Sequence, residues 1–187
     1  MTAGSAIQTS AMEGALFLPA FRPDFAPQPT EHLPIQHFNG NFEQSIPLHG
    51  QHEGSVLIVI GKVSGSDWQT SAAVSKLIHD IWELADDFSG PGALLAQLNN
   101  RINTRVGGRL CGETATCLAL FLEPDGNCTV ASAGRPLPIV NGREVILKTG
   151  LPLGLPCASE FPERQLSLRE YAVAGNVRIQ MPRFANC

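Results

Sequence analysis

The chain has 187 residues and a formal net charge of −4, and 43% of its residues are hydrophobic while 16% are charged. This composition is typical of one soluble domain with a buried core, and without a basic block it argues against a nucleic-acid partner. No apolar run approaches the roughly 20 residues of a membrane span, so no transmembrane helix is expected.

The compartment is predicted from the N-terminus and the cysteines. No basic region precedes the short apolar patch at 15–18, which argues against a signal peptide. The five cysteines lack CxxC spacing, which indicates free thiols rather than a zinc site or a disulfide framework. We therefore predict a cytoplasmic protein.

The N-terminal segment 1–34 is rich in proline, and prolines at positions 19, 23, 27, 29 and 34 exclude a long helix. We predict an N-terminal arm over 1–34, either extended over the domain or disordered, with room for a short helix over roughly 10–18. A single domain is predicted over 35–187.

A strand is predicted over 35–48, interrupted by a turn at 39–41, and a buried strand over 54–60. The second strand is apolar and rich in β-branched residues, as expected when both faces are covered. This buried strand is followed by a Gly/Ser-rich turn, and Lys62 is predicted where the turn begins. Catalytic and binding residues lie at such turns in many folds, so Lys62 is a candidate functional residue.

Two amphipathic helices are predicted next. Thr70 or Ser71 can cap the first, with Trp82 in the core and His79 on the surface. Pro91 opens the second, and Gly107-Gly108 ends it. The predicted buried stripes are Val74, Leu77, Ile78, Ile81, Trp82 and Ala85 in the first helix, and Leu94, Leu95, Leu98, Ile102 and Val106 in the second.

From residue 114 onward the pattern is all β. Strands are predicted over 114–122, 128–133, 165–168 and 176–181, with a hairpin over 139–147 that turns at Asn141-Gly142. Strands, then two helices, then antiparallel strands predict an α+β fold with the helices on one face of a sheet.

Several segments carry a family pattern in order: Asn39-Gly40-Asn41-Phe42-Glu43-Gln44, Gly61-Lys62-Val63-Ser64-Gly65-Ser66-Asp67, Leu98-Asn99, Thr116-Cys117-Leu118, Ala131-Ser132-Ala133-Gly134-Arg135-Pro136-Leu137-Pro138, Leu151-Pro152-Leu153-Gly154-Leu155 and Ala174-Gly175-Asn176. Together they resemble the PPM-type (protein phosphatase 2C-like) metal-dependent serine/threonine phosphatases, in particular the SpoIIE/RsbU-like bacterial branch. The resemblance covers roughly residues 10–181. It implies an α+β, PPM-phosphatase-like antiparallel β-sandwich flanked by helices, C-terminally truncated because the chain stops at Cys187.

The resemblance also implies a mechanism. In this family aspartates hold two Mn or Mg ions, which activate a water for attack on a phosphoserine or phosphothreonine. In this chain the corresponding metal positions are Asn41, Lys62 and Arg183, and the family's other acids at Gln44 and Asn176 are also replaced. Hard divalent ions need anionic oxygen ligands, so the metal-ligand motifs are degenerate.

Lys62 is the most disruptive of these replacements, because it places an ammonium where a divalent cation should lie. One unit charge pair at about 4 Å contributes about 4 kcal/mol at an effective dielectric of about 20, so repulsion should weaken metal binding by many orders of magnitude. We expect no cofactor for the sequence as it stands, and Mn or Mg if the protein is active. The Lys62 amino group either occupies the place of the metal or belongs to a solvated turn.

Further candidates lie beside these positions. Gly40, Gly61, Val63 and Asp67 are predicted contributors to the two loops, and Arg135 is a candidate for phosphate contact through its guanidinium. The pattern favours simpler explanations for two of them. Asp67 suits the start of a helix, where an acid is stabilised by the helix dipole, and Arg135 suits a surface salt bridge.

Three functional hypotheses follow. The first is a catalytically impaired pseudophosphatase in phosphoprotein-linked signalling, and the resemblance implies an anti-anti-sigma-like phosphoprotein as its partner. The second is an active Mn/Mg-dependent serine/threonine phosphatase with weakened or relocated ligands. The third is a non-functional truncated remnant. Loss of the last strands would leave a sheet edge that a partner or a second copy of the chain should cover.

Overall fold

The computed structural model describes residues 9–10, 15–18, 40–65, 68–104, 114–134, 137–171 and 177–180. Short 3₁₀ helices cover Gly50–His52 and Leu168–Tyr171. The strands and α-helices within the described ranges are β1 (Thr9–Ser10), β2 (Ala15–Leu18), β3 (Asn41–Pro47), β4 (Val56–Val63), α1 (Trp68–Ala85), α2 (Pro91–Thr104), β5 (Ala115–Leu122), β6 (Asn127–Ala133), β7 (Ile139–Val140), β8 (Arg143–Glu144), β9 (Glu163–Ser167) and β10 (Val177–Gln180).

The strands form two antiparallel sheets. The first sheet has the order β3-β4-β5-β6-β9, and the second has the order β1-β2-β10-β7-β8. Both helices pack on the first sheet. The predicted α+β class is therefore confirmed, with the helices on one sheet face. Neither α1 nor α2, the two α-helices in the described ranges, is long and apolar enough to cross a membrane.

The two faces of the first sheet bury different clusters. Alternate residues of β4 (Leu57, Val59 and Val63) pack with the helices, and we call this side the helix face. Val56, Ile58 and Ile60 point the other way and share a cluster with Val140 and Val145 around the β7–β8 hairpin. We call that side the inner face. Because β4 is covered on both sides, its apolar sequence needs no polar alternation, as predicted.

The helices confirm most of the predicted buried stripes. Val74, Leu77 and Ile81 of α1 and Leu94, Leu95, Leu98 and Ile102 of α2 are buried in the helix-face cluster. Trp82 is partly buried against the same cluster. His79 is exposed, and its Nε2 lies 3.3 Å from Glu83. The predicted second-helix terminus at Val106 and Gly107-Gly108 lies outside the described residues.

Helix α2 begins at Pro91 as predicted, but the predicted start of α1 is wrong. The helix begins at Trp68, so Thr70 and Ser71 lie within its first turns rather than capping it. Thr70 is 1% exposed. Its side chain therefore belongs to the packed interior of the fold and not to an exposed helix end.

Strand β4 runs past the end that the sequence predicted, as far as Val63. Val63 pairs with Ala115 of β5, and Lys62 pairs with both β3 and β5. Neighbouring strands on both sides satisfy the backbone of the Gly61-Lys62-Val63 segment, which keeps it extended. Lys62 is therefore the penultimate residue of a central strand, directly before Val63 and the Ser64-Gly65 segment.

The short helix considered over roughly 10–18 is also wrong. Thr9–Ser10 and Ala15–Leu18 are strands, and β2 pairs with β10 in the second sheet. The division of the chain at residue 34 into arm and domain stays a prediction. The predicted hairpin over 139–147 is shorter than expected, although Asn141 and Gly142 do adopt the positive φ angles of 46° and 78° that its turn requires.

The cysteines that the structure describes are free, as predicted: Cys117 and Cys128 are buried and Cys157 is exposed. Burial raises the pKa of the Cys117 and Cys128 thiols, which keeps them protonated. Both thiols are therefore small apolar packing groups.

A buried asparagine ties α2 to the apolar loop at 153–158. Asn99 is 3% exposed, and its Oδ1 accepts a hydrogen bond from the Gly154 backbone N–H at 2.7 Å. Its Nδ2 donates to the carbonyl oxygens of Leu155 and Ala158 at 3.1 and 2.5 Å. One side chain thus satisfies three backbone groups, and these bonds fix the loop against the helix.

Asn99→Ala should lower the free energy of unfolding by about 2 to 4 kcal/mol, because the carbonyl oxygen of buried Ala158 and the backbone N–H of half-buried Gly154 lose their side-chain partner. Denaturant unfolding followed by circular dichroism measures this change. Asn100→Ala is the matched control on the same helix, since Asn100 is exposed. It should change stability by less than about 0.5 kcal/mol. Equal effects of the two substitutions would contradict the role assigned to Asn99.

Candidate functional site

Three polar residues from three neighbouring strands lie in one row across the first sheet. Asn41 of β3 is directly opposite Lys62 of β4, and Lys62 is directly opposite Thr116 of β5. Residues that face each other across an antiparallel pair point to the same side, with Cβ atoms about 4.5–5.5 Å apart. We call Asn41, Lys62 and Thr116 the polar row. It lies on the inner face, since Gly61 and Val63 alternate onto the helix face.

The polar row marks the end of the apolar inner face. The next inner-face residues along β4 and β5, Ile60 and Leu118, are buried. Asn41 is exposed, while Lys62 and Thr116 are half-buried. No ion pair or side-chain hydrogen bond engages the Lys62 ammonium within the part of the chain that the structure describes. The polar row therefore lies at the boundary between the apolar interior and solvent.

Glu43 belongs to a segment that carries the family pattern, but the sequence predicted no role for it. It lies on β3 just beyond Asn41 and Phe42, so strand alternation places it on the same inner face as the polar row, diagonally from Lys62. Its side chain is half-buried, and desolvation raises the pKa of its carboxyl above the usual range. The period-two alternation of a strand could have revealed this carboxylate as a neighbour of Asn41.

Gln44 occupies a different environment from the one that the resemblance suggested. It lies on the helix face, is 8% exposed, and its Oε1 accepts a 2.8 Å hydrogen bond from Trp82 Nε1. Strand alternation turns the Gln44 side chain away from the polar row. Gln44 therefore contributes to packing between β3 and α1 and is not part of the site.

The glycines beside the row are required by close packing. A Cβ atom at Gly61 would overlap the Phe42 ring and the Thr116 carbonyl oxygen. Gly40 has a φ of 75°, and its carbonyl oxygen accepts a hydrogen bond from the Val63 backbone N–H at 2.9 Å. These contacts hold the ends of β3 and β4 together. Gly40, Gly61 and the buried Val63 thus fix the backbone that carries Asn41 and Lys62.

The segment after β4 is also held in place. Ser64 Oγ donates to the Thr114 carbonyl oxygen at 2.8 Å and accepts a hydrogen bond from the Thr114 backbone N–H at 3.1 Å. This exchange joins the ends of β4 and β5 close to Lys62 and Thr116. The polar row is therefore built on a rigid part of the sheet.

The remaining predicted site residues, Asp67, Arg135 and Arg183, lie outside the described residues, as does Asn176. Their roles stay predictions. The structure does bring Asn41 and Lys62 together, although they belong to separate motifs in the sequence.

The donor set of the described site does not suit Mn²⁺ or Mg²⁺. Such ions take several oxygen ligands, usually with carboxylates among them, but the row offers one amide, one hydroxyl and an ammonium. Glu43 is the one carboxylate on the same face of β3. In the described ranges, no group of three or more His, Cys, Asp or Glu side chains is arranged to hold a metal ion.

Comparison with known proteins places this fold in a family. The family model described as Stage II sporulation protein E (SpoIIE) matches residues 52–174, which is more than half of the chain. The chain therefore belongs to the SpoIIE family of PP2C-type phosphatase domains, as the sequence resemblance predicted. Lys62 and Thr116 lie within the matched stretch, and Asn41 precedes it. No curated protein matches the sequence.

Solved structures share the fold at low sequence identity. The RsbU and RsbW domains of a Mycobacterium tuberculosis protein match with 19% identity and a TM-score of 0.55, over 82% of this chain and 41% of that one. The PP2C phosphatase domain of SpoIIE from Bacillus subtilis, solved with a fragment of its regulatory domain, matches with 12% identity and a TM-score of 0.57, over 89% of this chain and 44% of that one. RsbX in complex with magnesium matches with 12% identity and a TM-score of 0.51, over 94% of this chain and 100% of that one. This chain thus spans less than half of the first and second of these structures.

Glu43→Gln should stabilise the protein at neutral pH and leave stability unchanged near pH 3. Burial raises the pKa of the Glu43 carboxyl, so the folded state holds the proton more tightly than the unfolded state does. The folded protein therefore loses stability as pH rises from the usual pKa of the group through the raised value. Glutamine has nearly the same shape and no charge, so it avoids that loss. Thermal unfolding of both proteins at about pH 3 and pH 7 tests this.

Glu160→Gln, at an exposed position, is the matched control and should change little at either pH. A Glu43→Gln variant less stable than the natural protein at pH 7 would contradict the prediction. That outcome would show that a partner such as Lys62 stabilises the ionised Glu43 carboxylate by more than burial destabilises it.

Proposed function

We propose that this chain is a SpoIIE-type phosphatase domain that has lost metal-dependent turnover and acts in signalling by binding a phosphorylated protein. The observation that carries the proposal is the register of Lys62 with Asn41. Lys62 on the inner face is directly opposite Asn41, which the sequence resemblance equates with the family's first metal-binding position. The proposed state has no bound Mn or Mg.

Electrostatics supports the loss of metal. A dication placed about 4 Å from the Lys62 ammonium would be repelled by about 8 kcal/mol at an effective dielectric of about 20, since each unit pair contributes about 4 kcal/mol. The amide of Asn41 and the hydroxyl of Thr116 are neutral and cannot offset this repulsion.

The scaffold around the row is intact, which supports a binding function. Gly40 and Gly61 keep the close packing between β3, β4 and β5, and Asn99 keeps the 153–158 loop attached to α2. The row is also accessible, since Asn41 is exposed. A sheet that keeps its geometry while its charges change can still present a surface to a partner.

The names of related structures suggest the type of partner. One neighbour contains RsbU and RsbW domains, and another is described as part of the bacterial stressosome, a modular system adapted to control secondary messenger signalling. We propose by analogy that this chain takes part in phosphoprotein-linked signalling, with an anti-anti-sigma-like phosphoprotein as its partner. This part of the proposal rests on relatedness of fold.

One observation favours a second candidate, an active Mn/Mg-dependent serine/threonine phosphatase with relocated ligands. Glu43 places a carboxylate on the inner face, close to Asn41 on the same strand. A carboxylate there could replace part of the lost ligand set. Under this alternative, Glu43→Gln would abolish metal-dependent turnover.

The test is hydrolysis of p-nitrophenyl phosphate by the purified protein with Mn²⁺ and with EDTA. The natural protein should show no Mn²⁺-dependent turnover. The double variant Asn41→Asp, Lys62→Asp restores two carboxylates to the row. It should hydrolyse the substrate at least about tenfold faster with Mn²⁺ than with EDTA, because the bound metal can then activate water.

The double variant Asn100→Asp, Lys148→Asp is the matched control, because it makes the same charge changes at exposed positions. It should remain inactive. Mn²⁺-dependent turnover by the natural protein would contradict the proposal, and its loss in Glu43→Gln would establish the alternative. No turnover in either the natural protein or the restored variant would favour the remnant hypothesis.

A further inference from the structure

The polar row brings three hydrogen-bond donors of different kinds to one face of the sheet. Asn41 supplies an amide N–H₂, Lys62 an ammonium with three donors, and Thr116 a hydroxyl. Adjacent strands are about 4.8 Å apart, so the three Cα positions span about 10 Å with the cation in the middle. The long Lys62 side chain can extend beyond the two shorter ones and meet a ligand lying over the row.

The surroundings strengthen electrostatic binding at this point. Ile60 and Leu118, the next inner-face residues on β4 and β5, are 8% and 0% exposed, so the row borders a water-excluding floor. Charge-assisted hydrogen bonds are stronger at such a boundary than in bulk water. The exposed Asn41 leaves the row open to solvent, which gives a ligand a path of entry.

The ligand that suits this donor set is an anion with several acceptor oxygens. A phosphate group carries close to two negative charges at neutral pH and accepts hydrogen bonds on three or more oxygens. Glu43, the nearest acid on the same face, opposes an anion when it is ionised. Glu43 lies outside the row, diagonally from Lys62, and Lys62 is the charged residue within the row.

From this arrangement we infer that Asn41, Lys62 and Thr116 form a metal-independent phosphate-binding site, with the Lys62 ammonium as its central charge. The inference deepens the proposed function and rests on it, since it names the group that would hold the phosphate of a partner. The shared ligand chemistry is a phosphate group, whether it comes as inorganic phosphate or as a phosphoserine side chain. Binding requires no bond to form or break.

The experiment is isothermal titration calorimetry on the full chain in EDTA, with inorganic phosphate in one arm and an acetylated phosphoserine amide in the other. Both should bind saturably at one site, and affinity should fall as ionic strength rises. Lys62→Met removes the charge and keeps the length of the side chain. It should weaken binding at least about tenfold, as expected for loss of a hydrogen bond to a charged group.

Three further variants make the result specific. Lys148→Met removes an exposed lysine outside the row and should leave affinity unchanged. Thr116→Val removes a hydroxyl at nearly constant shape and should weaken binding about threefold or more. Lys62→Arg retains the positive charge and should restore most of the affinity that Lys62→Met loses. Circular dichroism confirms that each variant is folded.

Absence of saturable binding to the folded natural protein would overturn the inference. Equal weakening by Lys62→Met and Lys148→Met would also overturn it, because that result would indicate a general charge effect. If Lys62→Met does not fold, unchanged affinity in Thr116→Val would overturn the inference and weakened affinity would support it. Tight binding of phosphoserine with no binding of free phosphate would support the site and identify the protein-linked source.

The binding experiment and the hydrolysis experiment test separate claims, so one claim can be refuted while the other stands. Mn²⁺-dependent hydrolysis would refute the pseudophosphatase proposal, whereas binding in EDTA measures the row alone. An inactive protein that binds neither ligand would refute this inference and leave the loss of turnover standing.

Discussion

The backbone pairing of β4 with both β3 and β5 is the constraint on which the rest of the structure depends. This pairing extends to Lys62 on one side and Val63 on the other. A slip of one residue would exchange the two faces, turning Lys62 into the helix-face core and Val63 toward the inner face. The full burial of Leu57, Ile58 and Val59 makes such a slip costly, because each fully buried side chain of this type contributes about 1.5 to 3 kcal/mol. The position of one charged group is thus set by apolar packing along the whole strand.

Much of the fold could be predicted because apolar periodicity reports burial directly. The central strand, both helices and the antiparallel region after residue 114 followed from spacing alone. The end of β4 could not be predicted in this way. Gly61 and Lys62 look like turn residues locally, and they are held extended by partners on β3 and β5 that are distant in the sequence. Glu43 and Asn99 belong to segments that carry the family pattern, but their roles could not be predicted for a related reason. A polar residue within an element shows its role only when its neighbours from other elements are known.

The site illustrates how a family fold separates scaffold from chemistry. The positions that cannot accept a Cβ atom, such as Gly61, still carry glycine, because the Phe42 ring and the Thr116 carbonyl occupy the space. Lys62 stands where the sequence resemblance predicts a family aspartate, and the backbone there pairs with both neighbouring strands. Changing the charge of an inner-face side chain alters what the sheet can bind, while changing a packed glycine alters whether the sheet forms. These two kinds of position therefore tolerate substitution very differently.

The pairing of β2 with β10 has a consequence for the order of folding. Residues 15–18 and 177–180 meet in register, although nearly the whole described chain lies between them. The entropy lost on closing so long a loop grows with loop length, and contacts of this separation form slowly. The first sheet pairs mainly through shorter separations, so it is expected to assemble earlier. During synthesis its inner face, including Ile58 and Leu120, would stay exposed until the second sheet closes over it, which makes that interval the period of greatest aggregation risk for this protein.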